Sequence, residues 1–536
     1  MKEIFFTAIA LLLGLLSYAQ ESPFELIIEP ITIDGLGGLQ SFAVGQSEGK
    51  WLIVGGRLDG LHRRQPWASF DIEGHNNQLL VVDMEAEHVW TKSIASLDQS
   101  LQEQLSSTNM ESHQVGNDLF IIGGYGYSDL VGDHTTHPYL TAIDVPGLIE
   151  AVIDDQELSS YFRRIEDDLF AVTGGQLNIM NDEFYLTGGQ RFEGRYNPMN
   201  NPTFTQSYSN SSHHFTIQDD GTDLSYTLVE SFVDSDNFHR RDFNAAPQIM
   251  PNGDQGITAF SGVFRTDADL PYLNSVNIDA SGYYVNNDFA QYYNHYHCGN
   301  TQVYSLEQNE MHTIFFGGIA QYYFDGENLV QDDNVPFVKT IARVTRDEGG
   351  NMAEYRMPIE MPDLLGAGSE FIVNTELPMY SNGVIQLDEL ESDTTVIGYV
   401  FGGIRSSDLN IFWINDGTQS VANNELIKVS LIKSSAVNLD ELNPHSNSQG
   451  RMQIYPNPNR GVLHVDLFLN RTDDVTLSIS DLQGKLLYSE LKKSKQLILG
   501  KNYMEVNISK WSSESALFVT ITSKGERLTQ KLILGE

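Results

Sequence analysis

The chain of 536 residues has a single cysteine, Cys298, so it can form no internal disulfide and its fold must be held by packing alone. Basic residues are scarce: 32 Lys and Arg stand against 72 Asp and Glu, a net charge of −40. Such a surface cannot displace counterions from a nucleic acid, which excludes that class of partner. It is equally unsuited to anionic membranes. Only residues 4–16 form a long apolar run, and no later stretch approaches the ~20 apolar residues of a spanning helix. No transmembrane segment is therefore expected in the mature chain. Nucleophile-elbow and zinc-protease signatures, zinc-finger spacings and a complete EF-hand loop are all missing. Whether the chain is an enzyme stays undecided on motifs alone, and the balance leans to a binding protein.

What is present begins with an export signal. Lys2, the apolar run 4–16 and the small-residue pattern Ser17-Tyr18-Ala19 give the three parts of a secretory signal peptide over residues 1–19, with cleavage after Ala19. No cysteine follows, which removes the lipoprotein alternative.

The C-terminus differs from the body in charge. Residues 451–536 carry 12 basic and 9 acidic side chains, whereas residues 1–450 carry 20 and 63. This asymmetry predicts separate modules, joined by the polar linker 434–450. After it come Tyr455-Pro456-Asn457-Pro458-Asn459-Arg460-Gly461, then Asp481-Leu482-Gln483-Gly484, and finally Lys531-Leu532-Ile533-Leu534. Alternating runs between them predict a small β-sandwich. In this order the motifs resemble the type A sorting domain of the type IX secretion system of the Bacteroidetes. Tyr455, Pro456, Asn457, Pro458, Gly461, Asp481, Gly484 and Lys531 carry the resemblance. The usual Gly-x-Tyr of that family is replaced by Ala516-Leu517-Phe518. The resemblance implies passage across the outer membrane by the type IX machinery, then removal of the domain, and a secreted or surface-attached product.

In the body, residues 20–433, an apolar strand runs into a diglycine or near variant six times. The pairs are Gly55-Gly56, Gly123-Gly124, Gly188-Gly189, Ser261-Gly262, Gly317-Gly318 and Gly402-Gly403. Successive second glycines are 68, 65, 73, 56 and 85 residues apart, a periodicity that signals a repeat fold. Polar turns such as Gly116-Asn117 precede the apolar runs and predict tight hairpins. A further Gly174-Gly175 lies within an inner strand, Gln78 to Asp83 reads as an outer strand, and residues 146–153 and 158–162 have helical spacing. These segments resemble Kelch repeats, with Trp90 as a surviving aromatic. The resemblance implies an all-β chain: a six-bladed Kelch-like β-propeller followed by the small β-sandwich. The last copy is one strand short, so Phe24-Glu25-Leu26-Ile27-Ile28-Glu29-Pro30 is expected to complete it as an edge strand, where a proline is tolerated.

The loops after the diglycines, residues 57–77, 125–138, 190–214, 263–275, 319–336 and 404–424, are long and are the expected place for binding. Arg57, Arg191, Arg195, Arg265 and Arg405 stand in them, with Tyr125 and Tyr322 among many aromatics such as Trp67. Convergent guanidinium groups offer forks for anionic groups, and rings offer surface for a glycan or a surface protein. In so acidic a body each arginine also has carboxylates to pair with. His295-Tyr296-His297-Cys298 is the sharpest cluster. A His-x-His placed on a strand would turn both imidazoles to one face and suit a transition metal, with His134 and His137 as further ligands. Acidic loops would suit Ca²⁺; no motif demands a cofactor. The alternative function is an extracellular carbohydrate-active enzyme, either a hydrolase with an acid pair or a metal-dependent oxidase. Cys298 near Tyr292, Tyr293 and His297 resembles the donor set of a galactose oxidase kind of copper site; no sialidase boxes are present.

Overall fold

A computed structural model describes residues 22–199, 203–326 and 328–433, and residues 451–455, 461–469, 473–480, 485–497, 500–511, 516–523 and 526–534. The expected signal peptide and linker lie outside the described residues, as do Pro456, Asn457, Pro458, Asp481 and Gly484 of the sorting motif. The chain divides into two compact units, residues 1–435 and 436–536. Both are built of β-strands.

Among the described residues the first unit contains six sheets that each hold a set of four antiparallel strands; further strands extend the third sheet to seven and the fifth to five. The first set is Ala43–Ser47, Lys50–Val54, Gln78–Asp83 and His88–Ser93. The second is Glu111–Val115, Asp118–Ile122, Tyr139–Asp144 and Phe162–Glu166. The third is Thr173–Met180, Glu183–Glu193, Ser211–Asp219 and Leu224–Val233. The fourth is Asn244–Ile249, Gln255–Phe260, Ser275–Asp279 and Gly282–Asn286. The fifth is Asn300–Ser305, Glu310–Phe316, Thr340–Arg346 and Met352–Glu360. The sixth is Ser369–Val373, Thr394–Gly402 and Leu426–Lys433, with Phe24–Ile31 as its edge strand. That edge strand runs antiparallel to Leu426–Lys433 in unbroken register from Phe24 with Lys433 to Ile31 with Leu426. Pro30, which has no N–H to donate, sits on this edge.

The second strands, and the third strands of the first and second sheets, read as apolar runs because both faces of each sheet are buried. Leu52, Val54, Leu79 and Val81 of the first sheet share a core with Leu119, Ile121 and Ile143 of the second. Phe120, Ile122 and Leu140 on the other face of the second meet Phe184, Leu186 and Phe215 of the third. Tyr185 then meets Ile257, Ala259 and Val276 of the fourth. Ala246 and Phe260 meet Phe315 and Val344 of the fifth, and Ile314, Phe316 and Ile341 meet Val400, Ile427 and Val429 of the sixth. Ile372, Phe401 and Leu426 of the sixth pack on Trp51, Ile53 and Leu80 of the first. Each buried Val, Leu, Ile or Phe in these layers contributes about 1.5–3 kcal/mol.

The diglycines stitch consecutive sheets together. The second glycine's N–H donates to a carbonyl just ahead of the next sheet: Gly56 to Ser107 (2.8 Å), Gly124 to Val172 (3.0 Å), Gly189 to Arg240 (2.7 Å) and Gly318 to Leu365 (3.2 Å). Gly403 donates to Leu39 (2.9 Å), which precedes the first sheet. Gly123 shows why no side chain fits: its φ is +64°, and a Cβ there would stand 1.8 Å from the Val172 oxygen.

Three expectations need correction. In the third copy the strand does not stop at the diglycine. Glu183–Glu193 runs through it, because Gln190 to Glu193 pair with Tyr208 to Thr205 and Glu193 also pairs with Thr135. Gln78–Asp83 is the third strand, and His88–Ser93 takes the edge. Of the two helical segments, Val145–Ile153 is a helix, started by the Asp144 side chain accepting from the Gly147 N–H and by Pro146 in the first turn. It buries Leu148, Ile149, Ala151 and Val152 in the core shared by the first two sheets. The second segment forms only the turn Ser159–Tyr161, and Phe162 already belongs to a strand. A short helix, Gln99–Leu105, stands before the second sheet with Asp98 as its cap.

In the second unit, Arg451–Tyr455, Val462–Leu469 and Gly500–Asn507 form one sheet. Leu486–Lys492, Val475–Ser480, Ala516–Ser523 and Glu526–Ile533 form another. Leu463, Val465 and Leu467 of the first meet Leu477, Ile479, Leu517 and Val519 of the second in one core. Tyr455 and Lys531 lie in strands, and Gly461 precedes one.

Candidate ligand-binding site

The arginines that follow the diglycines each have an acidic neighbour. Arg57 is 2% exposed and grips Asp59 with two bonds of 2.7 Å, while Phe70 lies 5.4 Å beneath its guanidinium. Arg191 pairs with Glu193 (2.8 Å) and Asp168 (3.1 Å), and Arg265 holds Asp267 at 2.8 and 2.9 Å. Arg405 pairs with Glu425 and donates to Asn423 (2.8 Å). Arg195 donates to the carbonyls of Ser69 and Trp67 and lies 3.5 Å from Asp71. Their charge is thus met locally.

The aromatics divide into two groups. Tyr125 is buried, donates to the Gly194 carbonyl (2.9 Å) and accepts from the Tyr196 N–H (3.0 Å). Burial pushes its phenol well above the usual range. It joins Phe70, Phe192, Tyr196 and Phe204 in a packed cluster of edge-on and tilted rings. The second group faces water. Trp67 is 73% exposed and Trp413 is 60% exposed, and Ile414 and Val421 on the same loop as the latter are also open. Tyr322 is half-buried and meets the exposed Tyr292 edge-on at 5.1 Å.

Loops 57–77 and 404–424, which carry the two tryptophans, are fixed to one another. Asn415 Nδ2 donates to the carbonyls of Leu61 (2.7 Å) and His62 (3.0 Å), and the Arg64 N–H donates to Asn415 O (2.9 Å). Leu61 N–H donates to Ser420 Oγ (2.9 Å), and the Arg64 guanidinium lies 5.5 Å from the Trp413 ring centre. Loops braced this way lose little backbone freedom on binding.

His295 and His297 are not on a strand, contrary to expectation. Both have positive φ, 55° and 30°, in the connection ahead of the fifth sheet. The alternation that would turn both rings to one face is therefore lost. His295 is buried, stacks on Phe315 (5.3 Å) and holds the Gly317 carbonyl through Nδ1 (2.7 Å). Burial lowers its pKa to about 4. His297 lies 3.8 Å from Glu370; burial acts to lower its pKa, but Glu370 outweighs it and the net shift is upward. His134 Nε2 holds the Phe70 carbonyl (2.8 Å), and His137 is buried. Among the described residues no group of three His, Cys, Asp or Glu side chains stands close enough to hold a metal ion. Cys298 is buried, and burial raises its thiol to about 12. Its sulfur is 3.9 Å from Asn244 Nδ2.

One polar cavity of about 70 Å³ lies among the first strands of the second to sixth sheets and the turns that lead into them. Glu111, Asn244, Asn300, His297 and Glu370 are on its wall. The sequence reading missed it. A signal was present: the first strands carry polar residues, such as Glu111-Ser112-His113-Gln114 and Asn300-Thr301-Gln302, where the second strands are apolar.

Comparison with known proteins places the C-terminal unit in a class. Residues 453–535 match the family described as Secretion system C-terminal sorting domain. The chain is therefore exported by the type IX secretion system to the cell surface or the extracellular space, and handled by that machinery. No curated protein matches the chain. Among solved structures, dimeric latent PorU from Porphyromonas gingivalis is similar at 11% identity and a TM-score of 0.13. That match covers 72% of this chain, and the chain spans 36% of PorU's length.

Proposed function

We propose that residues 20–433 are a six-bladed Kelch-like propeller, completed by its own N-terminal strand, that binds a neutral glycan outside the cell. The propeller reading is supported by the succession of shared cores from the first sheet to the sixth and back to the first. The Gly403 bond to Leu39 supports it as well. The binding reading is carried by one observation: Trp67 and Trp413 stand 73% and 60% exposed on loops that follow diglycines. An indole is a flat amphipathic surface on which the C–H face of a sugar ring stacks, with its N–H free to bond a hydroxyl. Arg64, 5.5 Å from the Trp413 ring centre, and Asp71 and Asp416 on the same loops supply polar groups. The acidic body disfavours sulfated or uronic polymers and leaves neutral sugars. The cavity of about 70 Å³ cannot enclose the sugar, since even benzene needs about 150 Å³. The ring must rest on the loops.

The mature protein is tested by calorimetry and affinity electrophoresis against neutral and anionic polysaccharides. Binding to a neutral glycan is expected, weakened at least tenfold in W413A and in W67A. Absence of binding to every neutral polymer, or variants that bind like the wild type, overturns the reading.

A further inference from the structure

The cavity among the first strands contains a carboxyl group that the fold leaves half satisfied. Glu111 is 3% exposed. One oxygen accepts the Gly175 N–H (2.7 Å); the other, Oε2, has no hydrogen-bond partner among the described residues. Asn109 Oδ1, on the same cavity wall, is likewise buried and unpartnered. When Glu111 is ionised these are two orphan acceptors on one wall, a local excess of lone pairs. A buried acceptor left unpaired costs about 1–3 kcal/mol, so the site is built for a donor.

We infer that this cavity is a subsite for a small cationic nitrogen group, a primary ammonium such as the tip of a lysine side chain, held by Glu111 Oε2 and Asn109 Oδ1. Three observations select that class. The cavity of about 70 Å³ holds a few water molecules or a small head group, not a ring. No group of three carboxylate, imidazole or thiolate side chains is gathered among the described residues, so a metal lacks its ligands while an ammonium needs only two or three acceptors. Glu370 on the cavity wall already has His297 as its partner, and Asp242, which acts on the Glu111 carboxyl, lies 3.7 Å from Arg241, so Glu111 is the wall's carboxyl with no cationic partner among the described residues. Burial pushes that carboxyl well above its usual range, and a bound cation would reverse this by favouring the carboxylate. The subsite is independent of the glycan reading, since the tryptophans take no part in its wall.

The test uses the mature full chain and methylammonium chloride as the probe, followed by thermal unfolding at constant ionic strength. The expected result is a saturable rise in Tm with half-saturation in the millimolar range. Tetramethylammonium, which cannot donate, should give no rise. E111Q, which keeps the Gly175 bond, should weaken half-saturation at least tenfold, whereas W413A should leave it unchanged. If E111Q does not fold, N109A is expected to weaken it several-fold. A flat response to methylammonium (water alone in the cavity) overturns the inference. So does an equal response to tetramethylammonium, a response to Ca²⁺ in place of the amine, or an unchanged response in the folded cavity variant. Loss of glycan binding in W413A with the methylammonium response intact separates the two sites.

Discussion

Gly116 and Gly123 offer a matched pair of perturbations within one sheet. Both have positive φ, +59° and +64°. An alanine at either must adopt the left-handed conformation, which costs about 1–2 kcal/mol. At Gly116, in the hairpin turn between Glu111–Val115 and Asp118–Ile122, nothing lies within 4 Å of an added Cβ, so that cost is the whole effect. At Gly123 the Cβ would lie 1.8 Å from the Val172 oxygen and 3.0 Å from the Phe170 oxygen, both backbone atoms. The strand entry must then retreat by more than an ångström. That breaks the Gly124 N–H bond to Val172 O, leaving a buried donor that costs about 1–3 kcal/mol. It also strains the layer between the second and third sheets by about 1–3 kcal/mol. G123A should therefore lose about 3–8 kcal/mol and G116A about 1–2 kcal/mol. Urea unfolding followed by fluorescence reads the difference as a shift in midpoint. Equal losses would refute the argument that the diglycine exists for close approach between sheets.

The buried imidazoles set an acid limit. Burial lowers His295 to about 4 and His312 to about 3, so below pH 6.5 the unfolded chain takes up protons that these rings in the folded chain refuse. Stability should fall as pH drops from 6.5 toward 4, by up to about 1.4 kcal/mol per unit for each ring. H295Q should flatten the slope by about one proton; a slope unaffected by H295Q contradicts this. Arg57 and Arg265 should differ sharply. R57A removes a fully buried ion-pair partner and should cost about 2–3 kcal/mol, reduced by the partial exposure of Asp59, whereas R265A breaks an exposed pair and should cost less than about 1 kcal/mol. Chemical denaturation of the two variants compares them, and similar losses would count against the assignment.

The sequence foretold the body best where a physical requirement is local. A diglycine marks a backbone crossing, and a proline inside an apolar strand marks an edge, so the stitching glycines and the Phe24–Ile31 edge strand were both readable. The failures arise where partners decide. The strand through Gly188 and Gly189 continues because Thr205–Tyr208 lies beside it, a contact that no local pattern announces. His295-Tyr296-His297 looks extended, yet positive φ at both histidines bends it away. Charge told only part of the story of the arginines, because their carboxylate partners lie from two residues away (Arg57 and Asp59) to more than a hundred (Arg195 and Asp71) along the chain. Glu111 was one acid among many until the fold left it facing a cavity with one oxygen unpaired.

The account depends most on the first and last strands of the first unit meeting in one sheet. Glu29 and Lys428 are register partners and form an ion pair on its edge. Opposed residues in antiparallel strands lie about 4.5–5.5 Å apart at Cα, within disulfide reach. In the double variant E29C/K428C the new bond would close a loop of about 400 residues, worth about 6 kcal/mol by the chain-entropy relation. The account predicts spontaneous oxidation, with Cys298 untouched, and a clearly higher unfolding midpoint than in the reduced form. Two free thiols at positions 29 and 428 after exposure to oxidant would contradict it.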